Sequence, residues 1–130
     1  MNLNQITIPS LNVEKSVAFY EILGLQLIVL ALPEYARFEC PQGDSTFSIH
    51  KVEKLPDGEG IWIYFEEEQL DNYIETIKLK GIIIDELPED KPWLWREARL
   101  KDPDNNIVII YKAGKNRKTP PWRIKNTEIQ

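Results

Sequence analysis

The sequence is poor in the residues that most often carry chemistry or cross-links: one cysteine, one histidine and one methionine in 130 residues. Cys40, alone, makes no internal disulfide and has no second thiol for a CxxC pair, which fits a reducing, cytoplasmic setting. With His50 as the single histidine, a facial triad of two histidines and a carboxylate is excluded. No stretch approaches the roughly 18 apolar residues of a spanning helix. Met1-Asn2-Leu3-Asn4-Gln5 has no basic region followed by an apolar one, so no leader is expected. No motif sets a serine, a histidine and an aspartate in the order of a hydrolase, and no partner histidine is close in sequence to Cys40. Nucleophilic catalysis is not indicated.

What is present is ordinary for a folded protein: 42% hydrophobic and 28% charged residues, which exclude disordered and collagenous classes. The length suits one compact domain with a core of its own. Net charge is −5, but it is unevenly placed. Six of the 16 basic residues lie from Lys112 onward with one of the 21 acidic ones, Glu128, leaving ten basic against twenty acidic before them. An acidic body is a poor surface for nucleic acid, because affinity for phosphates comes from clustered Lys and Arg. The basic tail, 115–130 with Pro120-Pro121-Trp122, either meets an anionic partner or folds back on that acidic body.

Periodicity divides the chain into elements. Gln5-Ile6-Thr7-Ile8 alternates as a strand ending near Pro9. Asn12 is an expected N-cap, Val13, Val17, Tyr20 and Leu23 form a helix face, and Gly24 stops the helix. Strands are expected over Leu25–Ala31, Tyr35–Cys40 and Ser45–Val52, with turns at Pro33 and Pro41-Gln42-Gly43-Asp44. The order then recurs. Ile61, Ile63 and Phe65 alternate with Trp62 and Tyr64, Glu66-Glu67-Glu68 opens a second helix, and Leu70, Tyr73, Ile74 and Ile77 mark its face. Gly81 closes it, and strands follow over Ile82–Leu87, Trp95–Lys101 and Ile107–Lys112. Gly24 and Gly81 are 57 positions apart, so the chain reads as two βαβββ copies, about 3–53 and 59–112, within a domain spanning 1–114.

The expected fold class is α+β: two modules making a curved, cup-shaped mixed sheet with the helices outside. By period two, Ile6, Ile8, Ile61, Ile63, Phe65, Val108 and Ile110 pack under the helices. Gln5, Thr7, Ser48, His50, Trp62, Tyr64, Glu97, Arg99, Ile109 and Tyr111 line the cup.

The order of elements, together with Leu11-Asn12-Val13-Glu14-Lys15-Ser16-Val17-Ala18-Phe19-Tyr20, Leu23-Gly24-Leu25 and Asp102-Pro103-Asp104-Asn105-Asn106, resembles the vicinal oxygen chelate superfamily. That superfamily includes glyoxalase I, bleomycin resistance proteins and extradiol dioxygenases. Asn105 stands where the family's Asp-Pro hairpin has glycine, and asparagine tolerates the same left-handed conformation. Lys91-Pro92-Trp93-Leu94-Trp95-Arg96-Glu97 is similar to a Pro-Trp and Arg-Glu stretch of bleomycin resistance proteins. The resemblance implies metal-ligand positions at Gln5, Ser48, Gly60 and Ile109, of which two have no side-chain donor. No metal and no cofactor is therefore expected.

The leading expectation is a metal-free, homodimeric, cytoplasmic small-molecule-binding protein. Its ligand, aromatic, cationic or carboxylate-bearing, would meet Gln5, Ser48, His50, Trp62, Tyr64, Trp93, Trp95, Arg99 and Tyr111. Flat aromatic walls bind by stacking, but the same tryptophans also suit a core or a dimer interface. Arg99 either anchors an anion or pairs with Glu97. His50 is either a general base or an ordinary rim residue. An enzyme, a lyase or isomerase using His50 or Glu97, and a scaffold or regulatory protein using the tail are the alternatives, because one fold hosts several activities.

Overall fold

A computed structural model describes residues 1–125; the last part of the basic tail, including Glu128, lies outside the described residues. The element order is β1 (Gln5–Ser10), α1 (Val13–Leu23), β2 (Gln26–Ala31), β3 (Tyr35–Glu39), β4 (Thr46–Lys51), β5 (Trp62–Glu66), α2 (Leu70–Leu79), β6 (Glu86–Asp90), β7 (Arg96–Lys101) and β8 (Ile107–Lys112), ending in a short 3-10 turn, Gly114–Arg117. This is βαβββ twice. The strands form two four-stranded sheets, ordered β1-β4-β3-β2 and β5-β8-β7-β6. In the first, β1 runs parallel to β4 while β3 is antiparallel to both β2 and β4.

By compactness the chain divides into two units: Met1–Ile63 with Lys101–Ile107, and Tyr64–Leu100 with Val108 onward. The first unit is built around α1, which packs on β2, β3 and β4. Asn12 caps it, its side chain accepting from the Lys15 N–H at 3.1 Å, and Gly24, at φ 104°, ends it. Ile8, Ala36, Phe38, Phe47 and Ile49 are buried beneath the helix face formed by Val13, Val17, Tyr20 and Leu23. The Tyr20 and Phe47 rings meet at 4.7 Å. Ile6, expected in this core, is instead 40% exposed: it lies near the start of β1, the end strand, whereas Ile8, two residues on, is fully buried. That end position also explains why the strand runs on through Pro9, since a missing N–H is tolerated at a sheet edge.

The turn Asp102–Asn106 belongs to this first unit. The Asp102 carboxylate is 4% exposed and accepts from the Tyr20 hydroxyl at 2.7 Å, the Asn106 amide at 2.9 Å and the backbone N–H groups of Asp104 and Asn106. Asp104 accepts from the Leu11 N–H and the Ser16 hydroxyl. Asn105 holds φ 66°, the left-handed conformation its residue type allows.

In the second unit α2 packs on β6, with Leu70, Ile74 and Ile77 buried. Two expected boundaries move here. Glu66 ends β5, and the helix starts at Leu70 with Gln69 as a cap that makes no side-chain bond. The sixth strand spans Glu86–Asp90 rather than Ile82–Leu87. Ile82 is drawn back onto the helix end, its N–H donating to the Ile77 carbonyl at 3.0 Å. Apolar character at Ile82 thus reflects helix-end packing rather than strand pairing.

Candidate functional site

On the first sheet, the face away from α1 carries the even positions of β4 and the odd positions of β1 and β3. Gln5 is exposed and accepts from the Thr46 hydroxyl at 2.7 Å. The Thr7 and Ser48 hydroxyls are hydrogen-bonded to each other. His50 is exposed and stands in register between Pro9 on β1 and Tyr35 on β3. Trp62, at the start of β5 and 44% exposed, donates its indole N–H to Glu59 at 3.2 Å.

Tyr35 and Arg37 join this face and were absent from the sequence-based candidates. The guanidinium Nε of Arg37 donates to the Tyr35 hydroxyl at 2.8 Å. Arg37 is directly opposite Ser48. Burial raises the Tyr35 pKa, but hydrogen bonds from Ser48 and Arg37 outweigh it and lower the phenol below its ordinary value. The signal that would have found both residues is the alternation of Tyr35-Ala36-Arg37-Phe38: Ala36 and Phe38 are fully buried, so their neighbours must face the other way.

On the second sheet three expected residues come together. Trp95 and Tyr111 stack with centroids 4.7 Å apart and planes 20° from parallel. Tyr64 meets both edge-on, at 5.9 and 5.7 Å. Such geometries suit ring quadrupoles. Tyr111 is buried, whereas Tyr64 remains 44% exposed. The Trp95 indole N–H donates to the Asn116 carbonyl at 3.1 Å, so the first turn of the basic tail locks this ring in place. Strand pairing begins at Arg96, one residue later than expected, which places Trp95 at the end of the β6–β7 turn.

Trp93 lies in the same turn, 45% exposed, with its indole N–H on the Glu97 carboxylate at 2.6 Å. Leu94 between the tryptophans holds φ 67°, unusual for a branched residue. Glu97 is 5% exposed, so this buried carboxylate is engaged by Trp93. Of the two roles open to Arg99, anchoring an anion or pairing with Glu97, neither is what its Nε does here: it reaches Glu86, its cross-strand neighbour, at 3.2 Å. Burial and the Glu97 charge raise the Tyr64 pKa against an opposing effect of Arg99, and burial and Glu66 raise that of Tyr111. Both phenols are neutral hydrogen-bonding groups at physiological pH.

A shallow cleft of about 290 Å³ opens at the start of α1, lined by Leu11, Asn12, Val13, Glu14, Leu32, Pro33 and Lys51. It contains none of the expected site residues.

The paired βαβββ units have counterparts among known proteins. Residues 2–110 match the sequence model of the Glyoxalase/Bleomycin resistance protein/Dioxygenase superfamily. The chain belongs to that superfamily. It is 30% identical over 128 residues to the uncharacterized protein YraH of Bacillus subtilis (strain 168), covering 86% of this chain and 98% of that one. Among solved structures, a glyoxalase/bleomycin resistance protein/dioxygenase from Nocardioides aligns with a TM-score of 0.76 at 20% identity, covering 96% of this chain and 90% of the other. A bleomycin-binding protein solved with bleomycin aligns at 0.71 and 20% identity, covering 86% and 98%. These two share the fold.

The residues at the superfamily's ligand positions do not fit a catalytic metal. Gly60 has no donor and holds φ 83°, and a Cβ there would lie 3.2 Å from the Asn106 side-chain oxygen, so a longer ligand would be both strained and crowded. Ile109 is hydrocarbon and fully buried. The Ser48 hydroxyl is shared with Thr7, and the Gln5 carbonyl oxygen is taken by Thr46. A divalent ion needs carboxylate, imidazole or thiolate donors in number, and among the described residues no three such groups are arranged to hold one.

Proposed function

We propose that the protein binds a small organic molecule without a metal and without transforming it, as a homodimer in the cytoplasm. The observation that carries this reading is the Tyr64–Trp95–Tyr111 cluster: two stacked rings fixed by the Trp95–Asn116 hydrogen bond, with a third standing half-exposed against them. A rigid aromatic surface binds planar or cationic groups by stacking at low entropic cost. Gln5, Ser48, His50, Trp62, Trp93 and Arg99 remain candidate ligand contacts. The mismatch at the metal positions favours binding over metal-assisted catalysis, and the occupied Glu97 carboxylate disfavours it as a free general base. Likeness to a bleomycin-binding protein makes that class of ligand the first to try. Pairing of subunits is supported by β2, the outer strand of its sheet, where Ile28, Val29 and Leu30 are all exposed. Such an edge calls for a cover.

Titration with bleomycin and a panel of planar aromatic cations, followed by tryptophan fluorescence and melting temperature, tests the reading. Quenching and stabilisation should accompany a ligand recovered unchanged. Tyr64→Ala and Trp62→Ala should each weaken binding with a small loss of stability. Trp95→Ala should lose both binding and about 3 kcal/mol of stability. Turnover of a panel member, or binding indifferent to Tyr64 and Trp62, contradicts the proposal. A purely monomeric protein in sedimentation contradicts its oligomeric part.

A further inference from the structure

We propose that the open face of the first sheet holds a site for an oxyanion, a carboxylate or phosphate group on a small ligand, anchored by the Arg37 guanidinium. This site is built from other residues than the aromatic cluster and does not depend on the reading above. Arg37 is partly buried at the centre of β3. Its Nε is taken by the Tyr35 hydroxyl, and the guanidinium lies over the Tyr35 ring at 5.4 Å from its centroid. One edge and one face of the planar group are thereby held in place. Its two terminal amino groups carry no hydrogen bond and no ion pair within the described structure. Arg96, by contrast, is paired with Asp71 and Asp90, and Arg99 with Glu86.

A partly desolvated cation with no counter-charge is costly unless something supplies the anion. The surroundings suit that role. Ser48 lies opposite Arg37, and Thr7 lies opposite Ser48 on β1, so two hydroxyls follow the guanidinium in one row across the sheet. His50 and Tyr35 occupy the neighbouring row. The carboxylate on the same strand face is Glu39, two positions on, and it makes no ion pair with Arg37. Two coplanar N–H donors in a fixed fork match two oxygens of one carboxylate or phosphate; Ser48 itself is fully buried and bonded to Thr7, so the guanidinium carries the recognition. The lowered Tyr35 pKa reports the same concentration of donors and positive charge.

The test is a titration of the full chain with sodium benzoate, phenyl phosphate and neutral benzamide at constant ionic strength. Arginine Nε–Hε resonances are followed by 1H–15N NMR and assigned with the Arg37→Gln variant. The Arg37 resonance should move and saturate with at least one acid and stay still with benzamide. Benzoate alone identifies a carboxylate site and phenyl phosphate alone a phosphate site. Arg37→Gln should weaken binding at least about tenfold, the scale of a lost charge-assisted bond, with its melting temperature close to wild type. Arg37→Lys, which keeps the charge and loses the fork, should fall between. Equal response to benzamide, an Arg37 resonance unmoved by both acids, or full affinity in Arg37→Gln would overturn the assignment. Benzoate binding lost in Tyr64→Ala while Arg37 stays still would place the acid on the aromatic cluster instead.

Discussion

Each module joins its third and fourth strands by a turn, and the two turns are built in opposite ways. Pro41–Ser45, between β3 and β4, is exposed throughout and closed by one backbone bond from Cys40 to Ser45 at 3.0 Å. Asp102–Asn106, between β7 and β8, has Asp102, Asp104 and Asn106 buried, with Tyr20, Ser16 and Leu11 of the first unit as their partners. Both sequences read as polar turns. The difference teaches that a polar turn motif serves either to reverse the chain or to anchor a helix, and that burial of its carboxylates tells which. Ser10 and Ser16, both fully buried and bonded to each other at 2.8 Å, extend the same anchor.

The sharpest way to break the comparison is to truncate the two aspartates. Asp102→Ala leaves the Tyr20 hydroxyl, the Asn106 amide and two backbone N–H groups without their acceptor, and should cost about 3 kcal/mol or more. Asp44→Ala in the exposed turn should change stability by no more than about 0.5 kcal/mol. Urea denaturation of both variants checks this, and equal losses would refute the distinction.

A smaller effect is expected from Tyr20→Phe, about 1.5 to 3 kcal/mol for one hydrogen bond to a charged acceptor. It carries a pH signature. Burial and the Asp102 charge raise the Tyr20 pKa well above its ordinary value. Below about pH 10 both folded and unfolded chains keep the proton, and the contribution is whole. Above it the unfolded chain ionises while the folded one does not, so stability falls with rising pH toward the folded pKa. Tyr73, raised by burial and Glu67, acts in the same direction in the second module. Tyr20→Phe should flatten the alkaline slope but leave the part due to Tyr73. A slope unchanged by the substitution would show that Tyr20 is not the group responsible.

The third contrast is between helix starts. Asn12→Ala removes the side-chain bond to the Lys15 N–H and should lower stability by about 1 kcal/mol. At the matching place in α2, Gln69 makes no such bond, and Gln69→Ala should be near neutral. Melting curves of the two variants, read side by side, decide it.

Much of this was legible because it is local. Asn12 and Gly24 punctuate α1, Gly81 follows α2, and Asn105 adopts positive φ because short side chains and glycine are what those dihedrals admit. Alternation on β8 placed Val108 and Ile110 on one face and Tyr111 on the other. The candidate site was legible in part: Tyr64 and Tyr111 follow from period two and do meet Trp95, which the Lys91–Glu97 stretch offered. Arg37 and Tyr35 escaped because a charged residue in a strand reads as solvent-facing until its neighbours are known. Glu97 and Arg99 looked like partners by spacing, yet cross-strand register gave Arg99 to Glu86 and the turn gave Glu97 to Trp93.

By itself the sequence determined the repeated βαβββ order, both ends of α1 and the apolar side of β8. These depend on residues a few positions apart and on the fixed periods of helix and strand. Tertiary structure alone decided the rest. It buried Asp102 and Asp104 against α1, started β6 at Glu86, exposed Ile6 and, among the described residues, left the Arg37 fork without a carboxylate. Each of these depends on which distant segment arrives beside a residue, and in a sheet that is set by strand order and register, which no local pattern encodes.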